Sequence, residues 1–199
     1  MSPKQHRGEV TAEQLLDAAL RVYGESGEQG LTVSAVTGAS GVSPGSLYHH
    51  FGSMDGLVTA LLMRWLERLL VEMVRALEQS DSARTGIQAL VRTYLAFIRD
   101  HRDAGLLLHS SRADELGMHQ AKQLRDAQEA RLTPLPAWVS RHVESGEVAP
   151  LPVSVLESLI LGPVIGVSRR WLTLGDVDLD EAADILPDRI WRSVGAEPR

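Results

Sequence analysis

Four small residues, Ser43, Pro44, Gly45 and Ser46, stand just before an aromatic and imidazole cluster, Tyr48, His49 and His50, in the stretch GVSPGSLYHHFGSMDGL. Ser43 can cap a helix that has Pro44 at its first position, where the missing N–H costs nothing. The free N–H groups and positive dipole end of such a start favour an anion, and small side chains let it come close. A phosphate suits both features. Tyr48 can lay its ring on a groove wall and turn its hydroxyl to a phosphate oxygen, with His49 facing bases or sugar and His50 the backbone. Thr32, itself placed to cap a helix, offers another hydroxyl to a phosphate, and Lys4 and Arg7 could reach across as a flexible arm. The same residues also describe a plain capped turn between two helices, and spacing alone does not choose between the readings.

Other chemistries find less support. Adjacent helical residues point in different directions, so His49 and His50 make a poor metal pair, and no third ligand lies near them. His101, His109, Asp114 and His119 lack a His-x-x-x-His spacing. No Ser/His/Asp set with an elbow, Gly-rich phosphate loop after a strand, or paired-carboxylate cleft is recognisable, so no enzyme, cofactor or metal is expected. The absence of cysteine removes disulfides and thiolate sites and points to the cytoplasm. No run nears the roughly 18 apolar residues of a membrane span, and the start, MSPKQHRGEVTAEQ, has no signal-peptide core, so no membrane partner is expected.

The elements that must position these residues are helices. With 199 residues, 44% of them apolar, the chain can bury one or two small cores. No alternating run bounded by turn residues is long enough for a convincing strand, so the fold expected is all-α. Thr11 followed by Gln14 reads as a capping box for a first helix with Leu15, Leu16, Ala19, Leu20 and Tyr23 on one face, ending in Gly24 to Gly30. Thr32 caps a short second helix that buries Val33 and Val36, Gly38 and Gly41 punctuate the turn, and Ser43 opens the third. Ser53 caps a fourth, with Asp55 in its first turn, and the series Leu57, Leu61, Leu62, Trp65, Leu69, Met73 and Leu77 runs about six turns. Breaks at Ser80-Asp81-Ser82, His101 to Asp103, Leu116-Gly117, Thr133 to Pro136 and Gly146 to Pro152 delimit about five further helices.

Three short helices, with a Gly-containing turn between the second and third, make a helix-turn-helix whose second member enters the major groove. Gly41-Val42-Ser43, Leu47-Tyr48-His49-His50-Phe51, Ser53 and Leu57, with Leu31-Thr32-Val33 upstream, resemble the N-terminal signature of TetR-family transcriptional regulators, over roughly residues 11–62. The resemblance implies a helix-turn-helix DNA-binding domain, residues 1–53, joined by the long helix to a helical ligand-binding and dimerisation domain, residues 54–199. It implies a homodimer on the double-stranded DNA of a palindromic operator, a repressor released by a small-molecule effector, and a phosphate-binding tyrosine at Tyr48. Val36, Val42, Leu47 and Phe51 would be the core of the tripod. For the implied pocket, the polar residues set among apolar ones, Tyr94, His109, Arg112 and Trp138, are the candidates. Pro134 and Pro136 interrupt the helix beside Trp138 and would form its rim. The stretch PVSVLESLILGPVIGVSRRWL, with Leu156, Leu159, Ile160, Pro163, Val164 and Val167, and a last helix carrying Ile190 and Trp191, would supply half of a four-helix dimer interface. Gly162 and Gly166 leave a groove there for another helix.

Two features depart from the family pattern. The net charge is −6, from 20 Lys and Arg against 26 Asp and Glu, and residues 1–56 hold three basic side chains, Lys4, Arg7 and Arg21, against six acidic ones. Such a balance argues against indiscriminate binding through a basic surface. Met54 stands where the family places a lysine against a phosphate. Both predict weak nonspecific affinity, with selectivity resting on base contacts and fit. They also keep open a reading from a different class, a small-molecule-sequestering or protein-interaction helical module that has lost DNA binding.

Overall fold

The structure, a computed structural model, describes residues 3–111, 113 and 134–196. Among these residues there are nine helices and no strand, so the all-α expectation holds; Val148 and Gly195 form one isolated antiparallel bridge.

Helix α1 spans Pro3–Gly30. It begins well before Thr11, which lies inside it and not at its cap; Pro3 opens it instead, with a φ suited to the first helical position. Near its end Gly27 takes φ 64° and ψ −164°, a break in the helical path that favours glycine. Leu15, Ala18 and Ala19 are fully buried where α1 meets α2 (Val33–Ser40) and α3 (Pro44–Phe51), which contribute Val36 and Leu47. Val42 and Phe51 pack onto this core from its edge.

Helix α4, Met54–Glu78, buries Leu57, Val58, Leu61, Leu62, Trp65, Leu69, Leu70, Met73 and Leu77, the apolar period read from the sequence with Val58 and Leu70 added. It packs on α1 and α3 and also on α5 (Ala83–Asp100), where Trp65 meets Phe97 edge-on at 6.1 Å between ring centroids. One continuous helix is therefore shared by the N-terminal tripod and the C-terminal helices. The remaining helices are α6 (Arg102–Leu108), α7 (Pro134–Glu144), α8 (Val153–Leu174) and α9 (Leu179–Val194).

Helix α6 is wedged among α1, α4, α5 and α8. The fit is close at Gly105, where an added Cβ would meet Ile98 of α5 at 3.2 Å and Leu172 of α8 at 3.4 Å. On the other side the Asp103 carboxylate lies on Gly24 of α1, within 2.6 Å of where a Cβ would stand. Pro134 and Pro136 fall in the first turn of α7, where backbone N–H groups have no intrahelical acceptor, so they open that helix and do not interrupt it.

Candidate nucleic-acid interface

Local hydrogen bonds fix the whole path from α2 to α4. Thr32 caps α2, its Oγ1 accepting from the Ala35 N–H at 3.2 Å. Gly41 ends α2 in the left-handed region at φ 70° and donates its N–H to the Thr37 carbonyl at 2.9 Å. Ser43 caps α3, its Oγ accepting from the Ser46 N–H at 3.2 Å and lying 3.1 Å from the Ser46 hydroxyl. Ser53 then caps α4 through the Gly56 N–H at 3.0 Å. That turn is tight: a Cβ at Gly56 would fall 2.0 Å from the Phe51 carbonyl oxygen, a requirement for glycine that the sequence reading missed.

With Leu47 turned inward, α3 presents Ser43, Pro44, Gly45, Tyr48 and His49 outward, with Ser46 and His50 half-buried. Tyr48 is 50% exposed, an unusual display for a large aromatic side chain. Among the described residues nothing calls for a glycine at 45, since an added Cβ would have only Ser43 Oγ within reach, at 3.9 Å. Bare backbone therefore faces outward at the start of α3. His50 differs from His49: it leans on α1, where a Cβ at Gly8 would come 3.6 Å from its Cε1, and its ring sits edge-on to that of His49 at 5.4 Å. Lys4 and Arg7 lie in the first turns of α1, so the expected flexible arm is a helix.

The acidity of the N-terminal segment is partly spent internally. Arg64 of α4 reaches back to Glu13 and Asp17 of α1, at 2.8 Å to each, with only 11% of its side chain exposed. Two of the six acidic side chains are thus paired with one cation at the seam between α1 and α4, which lowers the local negative charge by one. The signal was legible in principle, because Glu13 and Asp17 lie four apart on one helix face and Arg64 interrupts an apolar series. Met54 packs against the core from the first turn of α4, so the residue in the lysine position has a structural role.

In the C-terminal helices, the expected ligand residues separate. Tyr94 and His109 are brought together, the phenol oxygen 3.1 Å from Nε2. Burial pushes the Tyr94 phenol far above its ordinary range, with the charge of Arg169 pulling weakly the other way. Arg112 lies outside the described residues. Trp138 belongs elsewhere: it is buried against Gly86, where a Cβ would come 2.5 Å from its ring, and it stacks on His142 with centroids 4.0 Å apart. Gly86 and Tyr94 are two turns apart on α5, about 12 Å, so Trp138 does not share the Tyr94–His109 site.

The expected dimer residues also divide. Leu156, Ile160, Val164 and Ile190 are at most 6% exposed and fill the chain's own core, because their spacing turns them toward α5 and α6 or across to α9. They offer almost no surface to a second chain. The middle of the outward face of α8 is Val155, Gly162, Pro163 and Gly166, flanked by the half-buried Leu159 and Val167, with Ser154 and Ser158 exposed beside it and Arg169, Arg170 and Thr173 exposed toward the helix end; Trp191 of α9 is half-buried too. A Cβ added at Gly162 or Gly166 would meet nothing within 4 Å.

A helix-turn-helix tripod carried on a long helix shared with a helical C-terminal body defines a class of DNA-binding regulators. Residues 15–61 match the model of the family described as bacterial regulatory proteins, tetR family. The chain is 36% identical over 90 residues to the HTH-type transcriptional regulator BetI of Rhizobium meliloti, a match over 45% of this chain and 44% of that protein; the chain thus spans about half the length of the curated relatives it matches. A TetR family transcription regulator from Marinobacter aquaeolei VT8 shares its fold at a TM-score of 0.78 and 19% identity, over 97% of this chain and 100% of that one. FadR from Bacillus subtilis, solved in complex with stearoyl-CoA, does so at 0.75 and 16%, over 89% and 96%. The N-terminal segment, residues 15–61, thus carries the tetR-family signature, and the whole chain shares its fold with TetR-family regulators.

Proposed function

We propose that the chain is a transcriptional repressor that binds a palindromic operator as a homodimer and is released by a small-molecule effector. Residues 1–53 act as the DNA-binding domain and residues 54–199 as the ligand-binding and dimerisation domain. The observation that carries this reading is the outward face of α3, which is rigidly capped, bare at Gly45 and headed by a half-exposed Tyr48. Ser43, Pro44, Gly45 and Ser46 seat a phosphate at the helix start, where the positive dipole end faces outward and small side chains admit close approach. Tyr48 and the Thr32 hydroxyl hold further phosphates, and His49 faces bases or sugar. His50, leaning on α1, faces the nucleic-acid backbone from the rear of the helix. Two copies of α3 would occupy successive major grooves, about 34–36 Å apart.

The apolar outward face of α8 supports the dimer, and the stearoyl-CoA complex of a FadR neighbour supports a small-molecule site in this fold. Effector binding favours a state in which α4, common to both bodies, holds the two α3 helices at the wrong separation, so the DNA-competent state loses population. The test is an electrophoretic shift with the DNA upstream of the chain's own gene, backed by selection of bound fragments from the genome. A discrete complex of one dimer per duplex is expected. If no genomic fragment is retained, the reading falls and a sequestering module takes its place.

A further inference from the structure

The contact of Gly105 with Ile98 and Leu172 marks a layer shared by α5, α6 and α8. Four residues along each chain, one helical turn away, stand Tyr94, His109 and Ser168. Two observations support a common second layer: Tyr94 Oη lies 3.1 Å from His109 Nε2, and Arg169, next to Ser168, acts electrostatically on Tyr94. Ser168 shares its face of α8 with Val164 and Leu172 and has no exposed surface.

Among the described residues its Oγ has no hydrogen-bond partner. That is unusual, because a helical serine or threonine has an easy acceptor in the carbonyl four residues back. On the same helix Ser158 uses the Ser154 carbonyl at 2.8 Å and Thr173 the Arg169 carbonyl at 2.7 Å. Ser168 alone of the three leaves its hydroxyl open, at the level of α8 that the helical register pairs with Tyr94 and His109. A buried hydroxyl is disfavoured unless something supplies the missing bond.

We infer that Tyr94, His109 and Ser168 form the polar end of the effector site and receive an uncharged oxygen, carbonyl or hydroxyl, of an otherwise apolar small molecule. The inference rests on the effector part of the proposed function. Ser168 can donate to such an oxygen, and Tyr94 can donate as well in the tautomer whose His109 Nε2–H donates to the phenol oxygen. The same burial that disfavours a phenolate at Tyr94 disfavours a carboxylate beside it.

The test uses the full chain without DNA. A medium-chain methyl ketone, and the alcohol, carboxylate and alkane of the same chain length, are titrated by calorimetry into the wild-type protein, Ser168→Ala and Tyr94→Phe. The ketone and the alcohol should bind saturably, the carboxylate and the alkane at least about tenfold more weakly. Ser168→Ala should cut ketone affinity about tenfold, the effect of one hydrogen bond, while the unliganded Tm holds or rises because an unpartnered hydroxyl has gone. The inference is overturned if none of the four binds, if the carboxylate is preferred, if the variants bind the ketone as the wild type does, or if unliganded Ser168→Ala is destabilised. Because no readout involves DNA, failure here and failure of the repressor reading remain distinguishable.

Discussion

Two outward helix faces, those of α3 and α8, share one oddity. Gly45 on the first, and Gly162 and Gly166 on the second, lie in helices with open space where a side chain would be. Each costs its helix about 1 kcal/mol relative to alanine, and no contact among the described residues offsets that. Gly24, Gly86 and Gly105 are different, since neighbouring side chains already occupy the space a Cβ would need. The surroundings of the two bare faces then diverge. Around Gly45 stand Ser43, Tyr48 and His49; around Gly162 and Gly166 stand Val155, Leu159 and Pro163. Glycine grants close approach to both, and in the proposed repressor the neighbouring chemistry selects what approaches: a phosphate backbone at α3, a second helix at α8.

Breaking the α8 side should have the largest effect. Gly162→Arg places a charge on the proposed dimer face at a position where an added Cβ meets nothing within 4 Å among the described residues, and sedimentation should show the mass falling from two chains to one, with operator binding lost because a single α3 reads half a site. A variant that stays dimeric would mean that α8 does not face its partner. On the α3 side, Tyr48→Phe removes a phosphate hydrogen bond and should weaken binding about tenfold on every sequence. Competition over a panel of mutated operators checks it; a reordering of preferences would mean that Tyr48 reads bases.

Met54→Lys sharpens the α3 side more gently. One added phosphate contact per protomer should steepen the slope of log affinity against log salt by about 1.8 in the dimer, for specific and random DNA alike. Because Met54 packs against the core, a small loss of Tm should accompany the change. An unchanged slope over a salt series would place residue 54 away from the phosphates. The smallest effect concerns pH. Tyr94, and to a lesser degree Tyr23, are held protonated by burial, with the Ser110 hydroxyl beside Tyr23 drawing it partly back. Their folded values lie above the ordinary 10.0, so the stability they contribute is full below pH 10 and is lost as pH rises through the folded values. Urea midpoints should decline above that pH, and less steeply in Tyr94→Phe.

The two faces were not equally legible in the sequence. Around α3, caps and turns are local events, so Thr32, Ser43, Pro44 and Ser53 could be assigned from neighbours a few residues away, and each is where expected. The α8 face could not be resolved in the same way. Its helix is apolar nearly all round, and only packing against α5, α6 and α9 decides that Leu156, Ile160 and Val164 turn inward while Pro163 and the glycines turn out. Ser168 was invisible for the same reason, as one hydroxyl in an apolar run reveals its burial only when three helices assemble. Trp138 and His109 looked alike as polar residues among apolar ones, yet the fold sets them at different levels of α5.

The claim that a bare helix start docks on DNA is tested most directly at Gly45. Gly45→Trp fills only open space within the protein, so the folded dimer and its Tm should survive. Fluorescence anisotropy of the labelled upstream duplex, with wild-type and variant dimers at matched concentration, should show saturable binding by the wild type and none by the variant. Equal binding by the two would contradict the account, since a tryptophan there cannot be accommodated against a phosphate backbone.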